Sequence, residues 1–131
     1  MTPEAERFLQ NADDHLARGQ TMLAAGLNDD AGRAAYLAAF HAAQAIIFER
    51  TGKVLKTHKG VQIEFLRLTK DDPRFRPDQR IFLSQAYDFK AVADYDSGPI
   101  SEVSPQRAVD ANEAARQFIA TVRRVLAPLI S

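Results

Sequence analysis

The run AAYLAAFHAAQAIIF, residues 34–48, decides the fold. Only His41 and Gln44 interrupt its apolar character, so a helix here is apolar almost all round and must be surrounded by other helices. Ala35, Ala38, Ala42 and Ala45 allow close approach, while Tyr36, Phe40 and Ile47 add bulk on a neighbouring stripe. The helix is predicted from Asp30 to Arg50, with Asn28 or Asp29 as its cap and Gly52 as its stop.

Outward from this segment the chain reads as further helices. One spans Pro3 to Ala25, with Thr2 as cap, Pro3 at the first position and Gly26 closing it. A short helix runs from Thr57 to Leu68, followed by a polar connection broken by Pro73 and Pro77. A fourth spans Asp78 to Tyr95, with Phe82, Ala86, Phe89 and Ala93 on one face, and leads into a loop from Asp96 to Val103. The last starts at Ser104 and Pro105; Ala108, Ala111, Ala115, Phe118, Val122, Val125 and Leu129 form its buried seam. Alternating strand patterns are absent. The expectation is a single all-α domain over residues 1–131. It is an antiparallel four-helix up-and-down bundle in which the extra short helix acts as lid or cross-brace.

Composition narrows the chemistry. The 131 residues carry 17 Lys and Arg against 17 Asp and Glu, with no cysteine. Balanced charge argues against a generally basic nucleic-acid coat, though not against a local basic site. Without cysteine there is no disulfide scaffold, thiolate metal site or cysteine nucleophile. No secretory leader is apparent, and the apolar run is shorter than the roughly 18 residues a membrane span needs. A cytoplasmic protein with no membrane contact is expected.

Three groups of residues stand out. Lys53 to Lys59 reads Lys-Val-Leu-Lys-Thr-His-Lys. Thr57 would cap the short helix there, and Lys56, His58 and Lys59 would add positive charge to free backbone N–H groups, an arrangement suited to phosphate. Capped basic loops are common, so the same segment reads more readily as a solvated loop with a capping threonine. Arg33, His41 and Gln44 are polar groups on the apolar helix, so they either line a cleft or are satisfied within the core. Asp88, Lys90, Asp94 and Tyr95 sit near a helix C-terminus, where acids oppose the dipole, and Lys90 can pair with Asp94. His15, His41 and His58 have no Glu-x-x-His companion, and neither metal nor cofactor is expected.

The order of three pieces, Gly32 to Ala45, Lys56 to Gly60 and Ala93 to Asp96, resembles the HEPN family, most closely its small stand-alone prokaryotic branch. The resemblance implies a helical bundle, usually a homodimer, involved with RNA or nucleotides. It also implies a nucleotidyltransferase partner from an adjacent gene in a toxin–antitoxin-like pair. It points to Arg33, Tyr36, His58, Asp94 and Tyr95 as the matching polar positions. Active family ribonucleases place an Arg and a His on a late helix at closer spacing than any pair here. Arg7/His15, Arg33/His41 and Arg50/His58 each have seven residues between them.

The leading expectation is phosphate binding by Lys56, His58, Lys59 and Lys90 in a polar cleft with Arg33 and Asp94. Tyr95 would be a hydroxyl that the partner nucleotidylates. The alternatives are a metal-independent endoribonuclease using Arg33, His58 and Asp94, and a non-catalytic helical dimerisation module.

Overall fold

A computed structural model describes residues 1–95 and 102–127, with side chains described as far as Ala93 in the first segment. Six helices form among the described residues: α1 (Pro3–Ala24), α2 (Asn28–Thr51), α3 (His58–Thr69), α4 (Pro77–Arg80), α5 (Phe82–Tyr95) and α6 (Pro105–Leu126). The bundle is all-α. α2 is its axis, packed against α1, α3, α5 and α6. Ala35, Ala38, Ala42 and Ala45 are fully buried, which is what an alanine stripe permits where backbones run close. Around them Leu9, Ile46, Ile47, Phe65, Leu83, Phe118 and Val122 fill one core. No helix among the described residues is long and apolar enough to cross a membrane.

The caps follow local chemistry. Thr2 Oγ1 accepts from Ala5 N at 3.1 Å, Thr57 Oγ1 from Gly60 N at 3.0 Å, and Ser104 Oγ from Arg107 N at 3.2 Å. Each satisfies a backbone donor that the first helical turn leaves open. Gly52 takes φ +74° where α2 stops, a left-handed geometry that glycine adopts without strain.

Two expectations are corrected. Neither Asn28 nor Asp29 caps α2: the cap position is Leu27 and no side chain bonds there. The Asp29 carboxylate instead accepts from Val103 N at 2.8 Å, fastening the segment before α6 to the start of α2. The helix predicted from Asp78 to Tyr95 is interrupted at Ile81, with φ −94° and ψ −2°. The short first part is tied elsewhere. Gln79 Nε2 donates to Thr121 Oγ1 of α6 at 2.8 Å, Gln79 Oε1 accepts from Arg76 N, and Ser84 Oγ donates to Ile81 O. The loop residues 96–101 and Leu129 lie outside the described residues.

α3 does act as a brace. Val61 and Phe65 enter the core, and Arg80 reaches back to the α3 end, donating to Leu66 O at 3.0 Å. This places the first residue of α3, His58, against α2 and α5.

Candidate functional site: an imidazole held between two tyrosines

His58 is the first residue of α3, directly after the Thr57 cap. Its Nδ1 lies 2.9 Å from the Tyr36 hydroxyl. Its ring stacks on Tyr87 of α5, with centroids 3.9 Å apart and planes 17° from parallel. Tyr36 and Tyr87 meet edge to face at 5.6 Å, so three rings from three helices form one unit. Tyr36 is buried, His58 half-buried, and Tyr87 37% exposed, leaving the assembly open on the α3–α5 side. Lys56 and Lys59, the neighbouring lysines in the chain, are both exposed.

Burial sets the protonation states. Desolvation lowers the His58 pKa below its usual value, so the ring is neutral near pH 7. Desolvation, helped by Tyr87, raises that of Tyr36, so its proton stays on. The unit can present a fixed imidazole nitrogen to a ligand, and Lys56 and Lys59, two residues before and one after it in the chain, carry positive charge in the same segment.

The other expected residues fall in different places. Arg33 is half-buried and lines a cavity of about 170 Å³ with His15, Arg18, Met22, Asp30 and Leu37. His41 is satisfied within the fold: its Nδ1 lies 2.8 Å from Gln44 Oε1, while Gln44 Nε2 donates to Leu55 O. Gln44 therefore serves the chain after α2 rather than an open cleft. His41 also stacks on His15 at 5.0 Å and 6°. Burial foremost, then the charges of His41, Arg18 and Arg33, push His15 down to about 4. Lys90 is half-buried on α5. Asp94 and Tyr95 end that helix, and their side chains lie outside the described residues. No group of three or more metal-ligating side chains occurs among the described residues.

Two features escaped the sequence reading. Tyr87 has no local motif; the one hint was an aromatic on the helix expected to carry Lys90, Asp94 and Tyr95. The other is a groove of about 490 Å³ between α4–α5 and α6, floored by Phe82, Ala86, Phe89, Ala111 and Ala114 and edged by Arg76, Asp88, Arg107 and Asp110. It is larger than the space around Arg33 but contains no imidazole, and Arg107 already lies over the Phe89 ring at 5.1 Å. The His58 unit is the stronger candidate for chemistry, because it holds a neutral imidazole in a fixed geometry, whereas the groove supplies only guanidinium and carboxylate groups at its edges.

The described residues form an all-α bundle. The HEPN domain family model matches residues 5–127, and the chain belongs to the HEPN domain family. Among solved structures, TT1696 from Thermus thermophilus is similar in fold, with a TM-score of 0.79 at 22% identity. The match covers 95% of this chain and 100% of that one. No curated protein matches the chain.

Proposed function

We propose that the protein binds the phosphate of an RNA or nucleotide at His58. In this reading it works as a homodimer with a nucleotidyltransferase partner in a toxin–antitoxin-like pair. The observation that carries this is the Tyr36–His58–Tyr87 unit, flanked by Lys56 and Lys59 at the capped start of α3. Two cations and an imidazole donor match an anionic oxygen, and the exposed Tyr87 ring offers an aromatic surface beside it. Family membership supports an RNA- or nucleotide-related role. Lys90, three residues beyond Tyr87 on α5, adds a further cation to the site, Arg33 belongs to the separate cavity beside His15, and Tyr95 is the hydroxyl for partner modification. Co-expression with the adjacent-gene nucleotidyltransferase tests the pairing. Co-purification or mass addition on Tyr95 supports it; the absence of both contradicts it.

One observation favours a second reading, a metal-independent endoribonuclease. His58 is oriented by a buried hydroxyl in the way a proton-transfer group must be. Expression alone would then cleave RNA and arrest growth, and an Arg33→Ala, His58→Ala double variant would abolish both. Retained toxicity in that variant excludes the assignment.

A further inference from the structure

The hydrogen bond between Tyr36 and His58 has two alternative proton arrangements, and burial distinguishes them. Tyr36 is 2% exposed. Among the described residues, the acceptor within reach of its hydroxyl proton is His58 Nδ1, at 2.9 Å. Suppose Nδ1 carried a proton of its own. It would donate to the Tyr36 oxygen, and the buried phenol proton would be left without an acceptor. An unsatisfied buried donor is expensive, whereas a phenol oxygen with an idle lone pair among aromatic rings is far less so. With Nδ1 bare, the Tyr36 hydroxyl donates to it and no donor is orphaned. A neutral imidazole with Nδ1 as acceptor carries its hydrogen on Nε2.

We propose that Tyr36 is a positioning residue that holds His58 as the Nε2–H tautomer, so that the ring presents a hydrogen-bond donor and not a proton acceptor to its ligand. Tyr87 secures the same arrangement from the other side. A half-turn of the ring would put Cδ2 where Nδ1 sits, which breaks the Tyr36 bond, and the turning ring would have to sweep through a stack with centroids 3.9 Å apart. A donor at Nε2 suits a phosphate oxygen. In the resting protein His58 is therefore a binding group first, and it would have to change to the Nδ1–H tautomer, giving up the bond that Tyr36 donates, before Nε2 could act as a base. The choice of ligand rests on the proposed function; the tautomer does not.

Nitrogen-15 NMR of the imidazole side chains, on the full chain near neutral pH, tests the assignment. The expected result is an unprotonated Nδ1 and a protonated Nε2 for His58. In Tyr36→Phe the Nδ1 resonance should move to that of a nitrogen with no hydrogen-bond donor, and a minor Nδ1–H form should appear. A protonated Nδ1 in the wild-type protein overturns the proposal without reference to any variant. So does a Nδ1 resonance that Tyr36→Phe leaves unmoved in a protein whose amide spectrum shows it folded. Titration with a short single-stranded RNA adds the ligand arm. Binding that shifts the Nε2–H resonance supports the donor role, and binding that leaves it unmoved overturns that role. If the RNA does not bind, the proposed function fails while the nitrogen assignment stands on its own.

Discussion

The rings of His58 and Tyr87 lie nearly parallel, 3.9 Å apart, although 28 residues separate them and no local motif connects them. The stack places an α5 side chain over the first residue of α3. The stack covers one face of an imidazole whose pKa burial holds below its ordinary value. Removing the cover in Tyr87→Ala should raise the His58 pKa towards its ordinary 6.5, since desolvation is the force lowering it. An NMR titration of the imidazole reads this directly; an unchanged or lower value would mean Tyr87 is not the source of the burial.

Acid should weaken the fold before any carboxylate is involved. His15 is held at about 4 when folded and returns towards 6.5 when unfolded. The unfolded chain then binds more protons between those values. Stability is complete above pH 6.5, falls as pH drops and levels off once the folded group also protonates near 4. His41 is displaced in the same direction by burial and adds to the slope. Urea unfolding above pH 6.5 and again near pH 4 should show the loss, and His15→Gln should flatten part of it. An identical slope in His15→Gln would remove His15 as the cause.

Gly19 of α1 faces Asn112 of α6 so closely that an added Cβ would sit 2.2 Å from Asn112 Oδ1. Asn112 is 1% exposed, and its Nδ2 donates to Ala31 O and Ala108 O, tying α6 to α2. Alanine in mid-helix gains at most about 1 kcal/mol over glycine. Displacing a buried amide from its hydrogen bonds costs about 1–3 kcal/mol, so the clash wins. Gly19→Ala should destabilise the protein in chemical denaturation. In an Asn112→Ala background the same change should become neutral or stabilising, because the obstructing oxygen is gone. Equal penalties in both backgrounds would show that the two positions are not coupled.

Thr57→Ala should destabilise the protein by about 1 kcal/mol, the usual worth of a capping hydroxyl, and Thr57→Ser should restore most of it. Denaturation midpoints for the three proteins are the measurement. A Thr57→Ser variant no better than Thr57→Ala would show that the hydroxyl is not what matters at the start of α3.

The parts of the fold legible in the sequence were those with local causes. Thr2, Thr57 and Ser104 each precede a helix by the spacing a side-chain oxygen needs to reach a backbone donor, and each does so. The apolar run of α2 required neighbours on every side and has them. What escaped was settled by partners distant in the chain. Asp29 looks like a cap until Val103, brought beside it by the bundle, takes its carboxylate. The short helix before the break at Ile81 is held by Gln79 bonding Thr121 of α6, 42 residues away. The site divided the same way. His58 and its flanking lysines form a compact motif, and Tyr36 entered through the family resemblance. Tyr87 became visible only when α5 was laid across α3.

A phosphate site at the start of α3, built around His58, is tested most directly by RNA affinity. A short single-stranded RNA is titrated across a range of salt concentrations into three proteins: the wild type, a Lys56→Ala, Lys59→Ala double variant, and His58→Ala. Removing two phosphate-contacting lysines should weaken binding and reduce the slope of log affinity against log salt by roughly 1.4, about 0.7 for each contact to a single strand. His58→Ala should weaken binding with a smaller change in slope, since a neutral imidazole contributes a hydrogen bond and not a charge. Affinity and salt slope equal to wild type in both variants would contradict the phosphate site and place RNA binding elsewhere on the bundle.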